Sequence, residues 1–152
     1  MKYGARKFVQ ESYNENDVFA KLLFSAYISA KNHCIKSIEE NYYHDIVTEK
    51  DGDDYYFELE VKHNYPFTSS DTFKFDTVSF LGRKKRLHDI QPFYYIIVCA
   101  ETEWAISCHS NDIYEESNIE ELDINTSHRT GKDLMYRVDK IKCKFFNLNK
   151  HN

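Results

Sequence analysis

The chain has 152 residues, of which 41% are hydrophobic and 30% are charged, and its formal net charge is −5. These values are typical of one soluble globular domain and exclude collagen-like and disordered chains. No apolar run approaches the roughly 18 residues of a membrane span, and the N-terminal segment lacks the apolar core of a signal peptide. We therefore expect a single cytoplasmic domain over residues 1–152.

The first half of the chain predicts a helix followed by a hairpin. Residues 1–13 are interpreted as an arm or a short strand. From Asp17 onward, apolar residues recur at helical spacing, which predicts an α-helix whose C-terminal end the sequence does not define. The residues with this spacing are Val18, Phe19, Leu22, Leu23, Ala26, Tyr27 and Ala30. Residues 42–50 and 55–62 are rich in strand-forming residues and flank the turn sequence DGDD, which predicts a β-hairpin.

The second half predicts further strands. Residues 93–100, FYYIIVCA, form a continuous apolar run that is typical of a buried central strand. After a turn, residues 104–109 return as its partner, and residues 110–116 predict a short helix. Residues 133–138 predict a late strand, and the basic tail predicts a short helix or strand. The fold class is therefore α/β or α+β.

Cysteine and histidine give little indication of a metal site. The four cysteines are widely spaced, without a Cys-x-x-Cys pair, and predict buried thiols. The seven histidines are scattered, and their spacing predicts no histidine-based metal site.

Charge is arranged in blocks along the chain. Residues 39–60 hold nine acidic side chains and one lysine, whereas the segment 63–89 starts as a polar, aromatic loop and ends in the basic run Arg83-Lys84-Lys85-Arg86. The acidic block coincides with the predicted hairpin, so the hairpin is the first place to look for a site.

The hairpin geometry predicts which side chains share a face. A turn at Gly52-Asp53, or a four-residue loop Asp51–Asp54, places Asp45 opposite Glu60. Side chains alternate along a strand, so one set faces a core and the other set faces the opposite side. The first set is Tyr55, Phe57, Leu59 and Val61, and the second is Tyr56, Glu58, Glu60 and Lys62.

Two facing carboxylates repel each other, and a divalent cation removes that cost. Oxygen ligands on neighbouring strands suit Mg²⁺ or Mn²⁺, so we predict Asp45 and Glu60 as metal ligands, with the carbonyl group of Val61 available as a third. Lys62 would then position or activate the attacking water, which is the chemistry of phosphodiester hydrolysis. The alternative is a solvated strand face on which Lys62 only compensates Glu60.

HDIV at 44–47, followed by a turn and FELEVK at 57–62, resembles the PD-(D/E)XK nuclease superfamily. The resemblance covers residues 15–116 and implies a restriction-endonuclease-like αβββαβ core, a mixed central sheet flanked by helices. It assigns Asp45 as the motif aspartate and Glu60 and Lys62 as the (D/E)-x-Lys pair, with His44 in place of the motif proline. It also implies an acid on the first helix, Glu15 or, failing that, Glu11.

A nucleic-acid partner is predicted from the segment after the hairpin. The candidate DNA-binding residues are His63, Lys74, Arg83, Lys84, Lys85 and Arg86. Tyr65 and Phe67 are candidates for contacts to bases. The alternative is an ordinary solvated basic turn.

We thus predict a Mg²⁺-dependent DNA endonuclease of a bacterial or phage-infected cell, acting as a homodimer or a higher homo-oligomer. A restriction-like nuclease, a homing endonuclease and a Holliday-junction resolvase remain open within this class. From other classes, the alternatives are a non-catalytic nucleic-acid-binding module and a protein-interaction module that uses the acidic blocks 39–60 and 101–123.

Overall fold

The computed structural model describes residues 17–37, 44–63, 66–125 and 130–150, with the backbone alone at 121–125 and 130–133. The three helices in this part of the chain are α1 (17–30), α2 (Lys85–Ile90) and α3 (Ser110–Ile113). The strands are β1 (Cys34–Ser37), β2 (Ile46–Lys50), β3 (Asp53–Lys62), β4 (Thr77–Leu81), β5 (Tyr94–Cys99), β6 (Trp104–His109), β7 (Ile119–Asn125), β8 (Thr130–Asp139) and β9 (Lys144–Asn147).

The strands form two sheets. The larger sheet has the order β1-β2-β3-β5-β6-β9, and the smaller has the order β4-β8-β7. All neighbours in the larger sheet are antiparallel except β3 and β5, which run parallel with Glu60 opposite Ile97. After β3 the chain crosses to the second sheet as β4, forms α2, and returns as β5. The prediction of a mixed α/β class is confirmed.

Each face of the larger sheet is covered by a different layer. On one face, Phe24 and Ile28 of α1 pack against Phe57 and Leu59 of β3, with the Phe24 and Phe57 ring centroids 5.0 Å apart. On the other face, Phe80 of β4 packs against Tyr95 of β5. The predicted alternation along β3 is confirmed, but the side bearing Glu58, Glu60 and Lys62 lies under the second sheet and is not a solvated face.

Several predicted elements are confirmed, and others were missed. The structure has the predicted α1, the hairpin strands β2 and β3, the buried strand β5, its partner β6, the short α3 and the late strand β8. The segment 63–89 was predicted to start as a loop and to end in a basic run, with no strand or helix assigned to it from its own pattern, but β4 and α2 lie there because Val78, Phe80 and Leu87 are buried. Strands β1 and β7 were also missed, since neither has a clear apolar alternation.

The cysteine prediction is partly wrong. All four thiols are free, and Cys99 and Cys108 are buried as expected, but Cys34 is exposed and Cys143 is half-buried. Within the described ranges, no helix is long and apolar enough to cross a membrane.

Candidate functional site

The β2–β3 hairpin turns one residue earlier than the sequence interpretation placed it. Asp51 and Gly52 form the two-residue turn, with φ angles of 53° and 85°. Positive φ at both positions is the geometry of a type I′ turn, which Asp-Gly pairs favour. Lys50 therefore pairs with Asp53 and Ile46 with Phe57. Continuing this register brings Asp45 opposite Glu58, so the predicted pairing of Asp45 with Glu60 is wrong.

Asp45 and Glu58 hold each other in place through the backbone. The Asp45 N–H donates to Oε2 of Glu58 at 3.0 Å, and the Leu59 N–H donates to Oδ2 of Asp45 at 2.9 Å. On the α1 side, Nζ of Lys21 lies 3.7 Å from Oδ1 of Asp45. The carboxyl groups of Asp45, just before β2, and of Glu58, on β3, therefore lie next to each other in a partly buried position.

A lysine from the basic run contacts Glu58 on the side away from Lys21. Nζ of Lys84 donates to Oε1 of Glu58 and to the carbonyl oxygen of Leu59, both at 3.3 Å, and it lies 5.1 Å from the ring centroid of Tyr95. The second Glu58 oxygen lies 3.3 Å from Nδ1 of the buried His44. The ammonium group of Lys84 therefore sits between a carboxylate and a carbonyl oxygen, which are the ligand types that a hard divalent cation also prefers.

The two carboxyl groups have opposite pKa shifts. Burial and the Glu58 charge raise the pKa of Asp45, and the hydrogen bond from Leu59 and the charges of Lys84 and Lys21 do not offset them. Burial alone would raise the pKa of Glu58, but the hydrogen bond from His44, the Lys84 charge and the Asp45 N–H outweigh it, and the pKa is lowered. Asp45 is therefore the carboxyl group that more readily holds a proton.

These groups line a cavity of about 320 Å³, here called the site cavity, between β3, β4 and the start of α2. Its charged walls are Asp17, Asp45, Glu58, Glu60, Arg83, Lys84 and Arg86. Glu60 accepts a hydrogen bond from the Tyr95 hydroxyl group, and burial together with the Glu60 charge raises the Tyr95 pKa well above its usual value. The cavity thus combines acidic side chains from α1, the β2–β3 hairpin and β3 with basic side chains from the run 83–86.

The predicted site residues do not all meet in this cavity. Asp45, Glu60, Arg83, Lys84 and Arg86 line it, whereas Val61, Lys62 and His63 line a neighbouring cavity.

Three predicted cations have partners elsewhere. Nζ of Lys62 donates to the Ser79 carbonyl group at 3.3 Å. Lys85 pairs with Asp89 at 3.0 Å, and Lys74 lies over the Phe75 ring. Glu15, Glu11 and Tyr65 lie outside the described residues.

Glu58, Lys21 and the specific role of Lys84 were missed. The Asp-Gly dipeptide was the available signal, because it fixes the turn and with it the register. Nothing in the sequence indicates that Lys84 reaches Glu58, since that contact depends on the crossover through β4. Across the described parts of the chain, no three His, Cys, Asp or Glu side chains are grouped closely enough to hold a metal ion by themselves.

Comparison of the chain with family models, with curated proteins and with solved structures yields no match.

Proposed function

We propose that the protein is a metal-dependent endonuclease that hydrolyses phosphodiester bonds in DNA at the site cavity. The observation that carries the proposal is the position of the Lys84 ammonium group between the Glu58 carboxylate and the Leu59 carbonyl oxygen, beside Asp45. A cation already occupies a place bounded by oxygen ligands, and Arg83 and Arg86 line the same cavity. Basic side chains around carboxylates are the arrangement that a phosphate backbone requires.

The donor set fits Mg²⁺ or Mn²⁺. Asp45 and Glu58 would hold the ion, with the Leu59 carbonyl group as a third protein ligand, once the Lys84 ammonium group leaves these oxygens for the phosphate, and water would complete the shell. The bound ion would acidify a water molecule and neutralise charge on the phosphate.

The chain's own groups would do the remaining work. Lys84 stabilises negative charge that develops on the phosphate oxygens. Arg83 and Arg86 bind the flanking phosphates. The Glu60 carboxylate, which is oriented by the hydrogen bond from Tyr95, accepts a proton in the cavity.

The topology supports a restriction-endonuclease-like core for this proposal. The chain order α1, β1, β2, β3, α2, β5 corresponds to the αβββαβ arrangement, with β4 inserted before α2. The antiparallel β1-β2-β3 meander followed by the parallel β5 gives the mixed sheet that this core has. Restriction-like, homing and junction-resolving activities all remain open within it, as does the predicted homo-oligomer.

A second candidate is a non-catalytic nucleic-acid-binding module. It is favoured by the groups that already partner the carboxylates, which are the Lys84 ammonium group and the His44 ring on Glu58 and the Lys21 ammonium group on Asp45. Such a network gives both carboxylates a partner without metal. Titration with Mn²⁺, followed by thermal unfolding, separates the two candidates. Binding of the metal to the folded nuclease would raise its melting temperature, whereas the melting temperature of the non-catalytic module would not change.

The proposal is tested by incubating the purified protein with supercoiled plasmid, a branched junction and single-stranded DNA, each with Mg²⁺ or with EDTA. We expect Mg²⁺-dependent cleavage of at least one substrate. Intact substrates under all conditions, together with DNA binding that does not respond to metal, would favour the non-catalytic module instead.

A further inference from the structure

A second and larger cavity, of about 670 Å³, lies beside the site cavity along the same two strands. Leu59 and Glu60 of β3 and Leu81 of β4 line the site cavity, while Val61, Lys62 and Ser79 line the second one. Neighbouring residues on a strand are about 3.3 Å apart, so the two cavities are separated by only a few residues. Because both cavities are lined by β3 and β4, one extended ligand that lies between these two strands would reach both.

Aromatic rings form much of the wall of this second cavity, here called the aromatic cavity. Phe67, Phe73 and Phe75 line it. The Phe73 ring contacts both of the others, with centroid distances of 5.5 Å to Phe67 and 5.8 Å to Phe75. Phe75 is 43% exposed although it is a large apolar residue, and Nζ of Lys74 lies 5.0 Å from its ring centroid, so part of an aromatic and cationic surface faces solvent at this end of the cavity.

Cationic side chains line the same cavity. Lys62, His63 and Arg137 contribute to its wall. Lys62 is held by its hydrogen bond to the Ser79 carbonyl group, and Nε of Arg137 is held by Glu120 at 2.8 Å. A volume between about 300 and 1,000 Å³, with aromatic walls and a few fixed polar groups, is typical of a small-ligand site. Rings and cations together suit a ligand that is both planar and anionic.

We infer that the aromatic cavity binds an unstacked base of a single-stranded nucleic acid, with its adjoining phosphate held by Lys62 and Arg137. Stacking of bases on aromatic side chains inside a basic groove is the general way in which single strands are bound without base pairing. The inference deepens the proposed function and rests on it for the path of the strand, because the neighbouring phosphate would then lie at the site cavity. It also gives Lys62 a role in binding the strand.

Binding of a short fluorescent oligothymidine, measured by anisotropy in EDTA so that nothing is cleaved, tests this inference. The comparison ligand is the same sugar-phosphate backbone without bases. Phe75→Leu is the test variant, because its exposed ring can be shortened without disturbing the core. Phe19→Leu is the matched control, since Phe19 is 51% exposed and lies on α1, outside both cavities. Arg137→Gln tests the phosphate contact.

We expect the wild-type protein to bind oligothymidine about tenfold more tightly than the abasic backbone at equal salt. Phe75→Leu should remove most of that difference, and Phe19→Leu should leave it unchanged. Arg137→Gln should weaken both ligands equally. An oligouridine arm shows whether the strand is DNA or RNA, and either preference supports the inference.

Equal affinity of the wild-type protein for the two backbones would overturn the inference, as would an unchanged preference in Phe75→Leu. Displacement of the oligonucleotide by a long-chain fatty acid but not by thymidine monophosphate would also overturn it and indicate an apolar ligand. Because cleavage plays no part in this assay, base-dependent binding without any nuclease activity would refute the proposed function and leave the cavity assignment intact.

Discussion

At the scale of single residues, Asp45 and Glu58 are chemically different although they are neighbours. Asp45 sits beside a like charge, and its pKa is raised by burial and by Glu58. Glu58 is surrounded by donors, and His44, Lys84 and the Asp45 N–H lower its pKa despite burial. Neutralising Asp45 should therefore stabilise the fold, and neutralising Glu58 should destabilise it.

Asp45→Asn should stabilise the metal-free protein by a few tenths to about 1 kcal/mol, because it removes a like charge and keeps an oxygen to accept from Leu59. Glu58→Gln should destabilise it by about 1–3 kcal/mol, because it takes the counter-charge from the partly buried Lys84. Urea unfolding at neutral pH measures both. Equal destabilisation by the two substitutions would contradict the assignment of their environments.

The pKa shift of Asp45 also predicts a pH dependence. Its folded pKa is above its unfolded value, so stability from the protonated carboxyl group is present below the unfolded pKa and is lost as pH rises through the folded one. The stabilisation conferred by Asp45→Asn should therefore grow as pH rises through that window. Paired urea titrations of the wild type and the variant at a series of mildly acidic pH values provide the test, and a constant difference would argue against the shift.

The structure raises a choice between two lysines. The sequence predicts a catalytic role for Lys62, whereas Lys84 contacts Glu58 and Leu59 in the site cavity. We expect Lys84→Ala to slow single-turnover cleavage about 100- to 1000-fold, because a preorganised cation near the phosphate is lost. Lys62→Ala, measured at saturating DNA and Mg²⁺, should stay within threefold of the wild type. The reverse pattern would return the catalytic role to Lys62.

At the scale of elements, strongly periodic segments were predictable and crossovers were not. The helical spacing of Val18, Phe19 and Leu22 predicted α1, but these three side chains are exposed, and the buried face of the helix holds Ala20, Phe24 and Ile28 instead. The alternation through Phe57 and Leu59 indicates their burial, and that pattern is confirmed. Strand β4 was missed because its alternation is carried by Val78 and Phe80 alone, inside a segment whose polar and basic residues resemble a loop.

The site was predictable only as far as local geometry allowed. The hairpin pattern identified Asp45 and the acidic residues of β3. Which of these acids lies opposite Asp45 depended on placing the turn correctly to within one residue. A shift of the turn by one residue changes the pairing by two, and that moved the partner of Asp45 from Glu60 to Glu58. The contact from Lys84 is a long-range consequence of the second sheet, which no local pattern encodes.

At the scale of the whole molecule, the net charge of −5 conceals a local basic wall. Arg83, Lys84 and Arg86 line the site cavity, while the adjacent Lys85 pairs with Asp89 and does not. The basic run therefore has one side that lines the site cavity and another side that does not.

Arg83→Ala and Arg86→Ala should each lower the slope of log K against log salt by about 1, because each removes one phosphate contact. Lys85→Ala is the matched control from the same segment and should leave the slope unchanged. Salt titrations of DNA binding in EDTA measure this. An effect of Lys85→Ala equal to that of the two arginine variants would mean that the run acts only as a diffuse positive surface.

Single-turnover cleavage of a DNA substrate by the wild type, Asp45→Asn, Glu58→Gln and Glu60→Gln, across a Mg²⁺ titration, tests the central claim most directly. We predict cleavage by the wild type with Mg²⁺ and none in EDTA, and a loss of about 100-fold or more in Asp45→Asn and Glu58→Gln. Glu60→Gln should lose less, because the glutamine no longer accepts a proton but keeps an oxygen for the Tyr95 hydroxyl group and leaves both metal ligands in place. Wild-type rates in either Asp45→Asn or Glu58→Gln, with circular dichroism showing intact folds, would contradict the claim.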